Sequence, residues 1–589
     1  MVGRAPKAHV RARTRSRLIG LLAPVLGLLL VVGTAPASAT PPPPVPRPPV
    51  SQPVAPAIPQ RYLDQPVDWQ PCVFDSTIRR LAPAAPATAC ATVRVPMDWL
   101  MPDAHPDISI AISYSYATGA SRGLLTANPG GPGTPARSFT AALAVDRPEL
   151  FTSFDLLGMD PRGFGDSERL TCTASAADLS RLPTTPDLRR RTAQTHAAER
   201  AGTELLGRAC SASELSGYVS TQQTAYDLGF VRTLLGYTTL HLVGYGYGAR
   251  LAGWYAATFP QATGSVLVDS SADWSTNSAD SSAATTELRR RQFFGWIARH
   301  DGTYHLGRTP AAVDRRYAAL RRDLVRSGND PWELDTAIRQ SVSTDLGMLT
   351  AADQLRIFAR LARTGEGSLS EDDTTALKLL RERLALTEQG QLRAARVLAS
   401  TAPADVSVDI GPIGAVVRCN DLVHAADPDA EGADVDRRAS DFPRWGYLDA
   451  VGMCASWPHR AAARSVLLTD VPPVLMVQSA IDPLAGLAGA EAAHERAASS
   501  ILVVVADTGQ HNLVLSGTSV CADRIALAYL LTGSRPVDTV CQGGPLPQET
   551  AVRAVGGPKP TGKPAPYRPG TPRVNPVLAD AWADAAARA

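Results

Sequence analysis

The sequence predicts an α/β fold: a mostly parallel sheet with helices on both faces and a helical domain inserted between two of its strands. Three observations carry that expectation. Short β-type runs recur at 108–116, 124–127, 154–159, 240–243, 265–269, 474–478 and 501–505, with helical stretches between them. Such alternation is what parallel strands with crossover helices leave in a sequence. At 239–260 an apolar run breaks into the Gly-rich corner Gly244-Tyr245-Gly246-Tyr247-Gly248, and a helical stretch with Leu251, Trp254 and Tyr255 on one face then runs to Pro260. From 274 to 458 strand signals almost vanish, and amphipathic stretches at 287–299, 311–327, 352–363 and 375–384 replace them.

In chain order, the basic segment Arg4, Lys7, Arg11, Arg13, Arg15, Arg17 precedes an apolar run at 18–32 and the small-residue site Ala37-Ser38-Ala39. This reads as a secretory signal peptide over 1–39, and hence as a secreted, extracellular protein. The apolar run is shorter than the ~20 residues a membrane-spanning helix needs. Removing those six basic residues takes the formal net charge from +2 to −4, a balance that implies no nucleic-acid partner. Residues 40–60 are dominated by proline and read as an extended linker. The folded body is expected at 61–273 and 459–550, with the helical insertion at 274–458 and a Pro/Gly-rich disordered tail at 551–589. The helical pattern at 223–235 ends at Gly236, just ahead of the strand that enters the Gly-rich corner.

All eight cysteines follow the signal: Cys72, Cys90, Cys172, Cys210, Cys419, Cys454, Cys521 and Cys541. An even number in an exported chain favours disulfides, and their order along the chain suggests that neighbours pair. None of the spacings is a C-x2-C knuckle, so no metal is implied. Nothing in the sequence calls for a cofactor or signals an oligomeric state.

Four stretches carry chemistry. Asn128-Pro129-Gly130-Gly131-Pro132-Gly133 follows a strand directly, and the run from Phe154 ends in Asp160-Pro161-Arg162-Gly163-Phe164-Gly165. Asp482 closes the late strand run that begins at Pro473, and His511 lies in Thr508-Gly509-Gln510-His511-Asn512 after the last strong strand. Together with the Gly-rich corner, this series resembles the secreted tripeptidyl aminopeptidases of actinobacteria, α/β-hydrolases of the S33 peptidase type related to proline iminopeptidases. The resemblance covers roughly 60–545. It implies an α/β-hydrolase fold whose corner is the nucleophile elbow, G-x-S-x-G. It implies an oxyanion hole built from the Gly130 and Gly131 loop and the backbone N–H of Tyr247. Asp482 and His511 then stand as the acid and base of a Ser…Asp…His order. Asp160 and Arg162 hold their loop by ion pairing. Acidic residues of the insertion would hold a substrate's free amine, with Asp421 the candidate and a capping role its ordinary alternative. A Cys521–Cys541 bridge would pin the histidine loop, and Cys419–Cys454 would tie the end of the insertion back to the sheet.

The departure is at the elbow, where the nucleophile position is Gly246. In triads of this kind, losing the nucleophile costs about 10⁶ in turnover, or about 8 kcal/mol of barrier. Glycine keeps the corner, because it adopts the elbow's strained backbone conformation without the cost of about 1–3 kcal/mol that other residues bear. Tyr245 and Tyr247 flank it, but a phenol near pKa ~10 is a poor nucleophile toward an amide. The expectation is therefore a catalytically impaired relative that retains binding of a peptide or of a small ester or amide. The alternative is a working peptidase or esterase that uses a His511-activated water or a non-standard nucleophile.

Overall fold

The computed structural model describes residues 53–548 apart from 185–186, 278–281, 412, 425–426, 449–451, 460, 462–465, 467–470 and 498. The expected export signal, most of the Pro-rich linker and the tail lie outside the described residues. The strands are β1 (Gln70–Pro71), β2 (Ala89–Pro96), β3 (Asp107–Ser115), β4 (Leu124–Asn128), β5 (Asp155–Met159), β6 (Thr173–Ser175), β7 (Leu240–Tyr245), β8 (Thr263–Asp269), β9 (Ser407–Asp409), β10 (Val474–Ser479), β11 (Ile501–Ala506) and β12 (Thr539–Gln542).

Among the described residues, ten of these form one sheet in the order β1-β2-β3-β5-β4-β7-β8-β10-β11-β12. From β5 to β12 neighbours run parallel. β1, β2 and β3 continue the sheet antiparallel, with β3 paired to β5. All seven expected strand runs are strands, and the α/β-hydrolase fold follows from this sheet with its helices. β1, β2 and the short edge strand β12 are additions to the sheet. The inward positions of β2, Ala91, Val93 and Val95, alternate with exposed Thr92 and Arg94. They are small, so the apolar signal is weak despite the two-residue period.

Successive residues of the central strands point to opposite faces, and both faces are covered. Leu242, Val266 and Met476 pack on the side of helices Thr221–Leu234 and Tyr247–Thr258, with Leu251 and Tyr255. Val243, Leu267 and Leu475 pack on the other side, with Phe139 and Leu530 of helices Phe139–Asp146 and Val520–Thr532. Both faces being buried explains why these strands read as continuous apolar runs.

Between β8 and β10 the described chain is helical, apart from β9. This part carries its own core, including Phe293, Trp296, Ile297, Leu324 and Leu334. Thr309 caps helix Pro310–Arg326 through the Ala312 N–H, and Ser370 caps helix Glu371–Leu384 through the Asp373 N–H. These caps and the proline in the first turn set helix starts that amphipathic spacing alone places later. β9 pairs antiparallel with β6, so the insertion is stitched to the segment that follows β5.

Four disulfides join chain neighbours: Cys72–Cys90, Cys172–Cys210, Cys419–Cys454 and Cys521–Cys541. Cys521–Cys541 links helix Val520–Thr532 to β12. Cys419–Cys454 joins helix Ile413–Asp421 to the turn Met453–Ser456. Both ends lie inside the insertion, so this bridge does not tie the insertion to the sheet as expected.

Two further expectations are corrected. Among the described residues, Asp160 does not hold its loop by an ion pair, whereas Arg162 does. It makes a bidentate ion pair with Asp227 at 2.7 and 2.8 Å, with both side chains fully buried, and Trp99 Nε1 donates to the same carboxylate at 2.8 Å. Asp160 instead accepts the backbone N–H groups of Ala136, Arg137 and Asp166. The last part of the expected linker also lies on the body: Val54 O accepts from the Tyr226 hydroxyl at 3.1 Å, and Ile58 packs against the core.

Candidate active site

The elbow follows from the chain's own geometry. β7 ends at Tyr245, helix Tyr247–Thr258 starts two residues later, and Gly246 makes the turn between them at φ +53°. A side chain at such a φ is held under strain of about 1–3 kcal/mol, which glycine avoids. The Gly246 N–H donates to Asp269 O at the end of β8, 2.9 Å away.

A Cβ at Gly246 would lie 3.3 Å from His511 Nε2 and 3.6 Å from its Cε1. The His511 ring therefore faces the point from which a serine side chain would project. Its other nitrogen, Nδ1, sits 2.9 Å from Asp482 Oδ2 and 3.1 Å from Oδ1. A carboxylate oxygen accepts, so Nδ1 is the nitrogen that carries a proton toward Asp482, and in the neutral ring Nε2 turns a lone pair toward residue 246. Asp482 is in turn aimed by the N–H groups of Leu484 and Ala485, which donate to Oδ1 at 2.9 and 3.0 Å. Gly246, Asp482 and His511 are thus brought together, with Asp482 fully buried and His511 4% exposed.

Burial alone would lower the His511 pKa, and that is the largest single influence. The charge and hydrogen bond of Asp482, helped by the charge of Asp269, outweigh it and hold the imidazole above its usual value. Asp269 is a residue that the sequence reading did not single out. Its Oδ2 accepts from the N–H groups of Leu513 at 2.5 Å and Val514 at 2.7 Å. It therefore joins the elbow, through its carbonyl, to the histidine loop. Burial pushes its carboxyl up to about 7, against the hydrogen bond from Val514 and the charge of His511. An acid at the end of the strand after the elbow was the available signal, the same one that marks Asp482.

The insertion also reaches this loop. Ser343 O accepts from the His511 N–H at 2.8 Å. Asp345 accepts from Thr508 Oγ1 at 2.7 Å through its side chain, and donates its N–H to Gln510 Oε1 at 2.9 Å. Arg289 pairs with Asp345 at 2.7 Å and donates to Val342 O at 2.6 Å. No sequence pattern marks these partners, which lie far from His511 in the chain.

The Gly130-Gly131 loop lies against the elbow. A Cβ on Gly130, at φ +97°, would come within 2.4 Å of Tyr245 O and 3.2 Å of the Tyr247 amide nitrogen, so only glycine allows this approach. Asn128 Oδ1 accepts the Gly130 N–H at 2.9 Å and shapes the turn. The flanking phenols are engaged elsewhere. Tyr245 donates to Val514 O at 3.2 Å, and Tyr247 shares a 2.6 Å hydrogen bond with Thr221 Oγ1. Burial raises both well above the usual phenol value. The Asp421 carboxylate accepts from the Thr221 N–H at 3.0 Å and from Thr221 Oγ1 at 2.5 Å, at the start of helix Thr221–Leu234. That is a capping arrangement, and burial pushes Asp421 up to about 6.

The arrangement can exchange a proton at His511 Nε2, polarised by Asp482, but the Gly130 N–H expected in the oxyanion hole is engaged by Asn128 Oδ1 instead. It holds no attacking oxygen on residue 246.

Residues 443–541 match a family model described as TAP-like protein. The chain is 26% identical over 494 residues to tripeptidyl aminopeptidase of Streptomyces coelicolor, covering 81% of this chain and 86% of the relative. It is 27% identical over 495 residues to serine protease Hip1 of Mycobacterium tuberculosis, covering 80% and 90%. Among solved structures it overlaps weakly with proline iminopeptidase of Mycobacterium smegmatis, at 13% identity and a TM-score of 0.29 over 75% of this chain and 97% of the other.

Proposed function

We propose that this chain, a TAP-like protein of the α/β-hydrolase fold, is an exported, catalytically silenced relative of tripeptidyl aminopeptidases that retains binding of short peptides. The observation that carries this reading is the 3.3 Å between His511 Nε2 and the Cβ position of residue 246. The base stands where it would activate a serine, and the residue there is glycine. Acyl-enzyme chemistry needs an oxygen at that point, and its loss is worth about 10⁶ in turnover. Peptide binding is supported by relatives named as peptidases and by a helical insertion that follows β8, in a fold whose ligands bind beyond the strand ends. Export is supported by four disulfides, which suit an oxidising compartment.

A chromogenic tripeptide amide assay on the purified full chain tests the silencing. Turnover no faster than that of His511→Ala is expected. A rate that His511→Ala abolishes overturns the reading in favour of a water activated by His511 Nε2. Peptide binding is read separately by thermal shift. A tripeptide with a free amine is expected to stabilise the chain more than its N-acetylated form, and equal shifts would remove the aminopeptidase-like part of the reading.

A further inference from the structure

The first half of the helical insertion carries a large excess of positive charge. Helices Ala283–Arg299, Pro310–Arg326 and Gly347–Thr364 hold twelve arginines against four acidic residues and no lysine. That is a net +8, in a chain whose formal net charge is +2. Helix Pro310–Arg326 packs against both of the others, so the three form one block. All four acids are ion-paired: Glu287 with Arg290 and Arg291, Asp314 with Arg290 and Arg444, Asp323 with Arg326, and Asp353 with Arg356. Arg289, Arg321 and Arg360 reach carboxylates of other segments. Arg299, Arg315, Arg316, Arg322 and Arg363 are left, each exposed and without a hydrogen bond or ion pair among the described residues.

On the middle helix the charge is laid out as a face. Arg315, Arg322 and Arg326 stand seven and four residues apart, so they share one side of the helix and span about 16 Å of its length. Val313, Tyr317, Leu320 and Leu324 take the opposite side and are buried. Arg308, with a side chain 92% exposed, stands just ahead of the helix. Like charges gathered without counter-charge repel one another, so the fold gains nothing from this arrangement.

The side chains define what would balance them. Guanidinium groups pair with phosphate oxygens through two parallel N–H donors. Every aromatic ring on the three helices, Phe293, Phe294, Trp296, Tyr317 and Phe358, is buried, which leaves no platform on which the bases of a nucleic-acid strand could stack. Leu288, 47% exposed and one turn from Arg291, offers an apolar contact at headgroup depth. Among the described residues no helix is long and apolar enough to cross a membrane, so contact with a bilayer is made at its surface.

We propose that the arginine face of these three helices docks the folded chain on the surface of a bilayer containing acidic phospholipid. Headgroup phosphates supply the counter-charge that the chain lacks there. The docking is separate from the peptide-binding reading, because none of the five unpaired arginines contacts Gly246, Asp482 or His511 among the described residues.

The test is co-sedimentation with vesicles of the chain purified after export, so that the basic segment at 4–17 is removed with the signal. Vesicles of phosphatidylglycerol and phosphatidylcholine are expected to bind the chain at about 0.05 M salt and to release it by about 0.5 M. Pure phosphatidylcholine is expected to bind none. Each arginine removed is expected to weaken binding about fivefold, so Arg315→Ala, Arg316→Ala and Arg322→Ala combined lose about a hundredfold. Arg322→Ala alone serves should the combined variant misfold, and melting temperatures report folding. Arg208→Ala, Arg524→Ala and Arg535→Ala combined, at exposed arginines outside the three helices, are expected to leave binding unchanged. No binding to acidic vesicles, equal binding to phosphatidylcholine, indifference to salt, or a folded Arg322→Ala chain that binds like the parent overturns the proposal. So does an equal loss when the distant arginines are replaced. A DNA duplex bound more tightly than the vesicles at equal phosphate concentration overturns it in favour of a nucleic-acid surface.

Discussion

Gly246→Ser returns an oxygen to the elbow, and its size of effect can be worked from the structure. The serine Cβ would sit 3.3 Å from His511 Nε2, so a rotamer that turns Oγ toward the ring can bring it within the about 2.6–3.2 Å at which a base activates a nucleophile. Asp482 already holds the proton-bearing nitrogen at 2.9 Å, so no second change is required. Against this stands the φ of +53°, at which a side chain costs about 1–3 kcal/mol. The variant is therefore expected to melt slightly below the parent and to gain up to about 10⁶ in turnover of a tripeptide amide. That gain is about 8 kcal/mol of barrier. Initial rates give the activity, and a fluorophosphonate probe followed by peptide mapping gives the site of attack. A folded Gly246→Ser chain that neither turns over substrate nor labels at residue 246 would refute the claim that this geometry is a triad lacking only its oxygen.

Three further outcomes follow from the buried charges and bridges. Between about pH 4 and 7 native Asp269 holds a proton that the unfolded chain has released, so stability falls as pH rises through that window. The shift to about 7 from the usual carboxylate value of 3.8 corresponds to something on the order of 4 kcal/mol. Asp269→Asn cannot titrate and is expected to flatten the dependence of the urea midpoint on pH, and an unchanged slope would show that Asp269 is not its source. Asp227→Ala leaves the fully buried Arg162 without its partner and is expected to destabilise by about 3–5 kcal/mol in denaturant titration. Replacing Cys521 and Cys541 with alanine, across a separation of 20 residues, is expected to cost about 3 kcal/mol. Proton exchange at the amides of the 507–519 loop is expected to quicken more than in β7, and equal quickening would show that the bridge does not secure that loop.

What could be read ahead of the structure divides by distance along the chain. β7, β8, β10 and β11 are buried on both faces, so each announces itself as an apolar run, and the corner at Gly246 announces itself by composition. Asp482 and His511 stand out because each follows such a run. β2 was hidden because its inward residues are small, and β12 because it is four residues long at an edge. Pairings across long separations left no local trace. Arg162 was expected to be ion-paired, but nothing local named its partner, Asp227, 65 residues on. The hydrogen bond from His511 to Ser343 likewise crosses from one part of the chain to another, and no periodicity encodes it.

That last hydrogen bond bears on how far this protein could be miniaturised. Ser343 and Asp345 belong to the helical stretch between β8 and β10, yet they grip the backbone and neighbours of the imidazole. Splicing β8 directly to β10 would spare every strand of the sheet while cutting away the brace that sets the ring's depth. The smallest unit that can hold Asp482 and His511 in register is thus larger than the sheet with its flanking helices. Pruning by homology to shorter hydrolases would yield a folded shell with a loose imidazole.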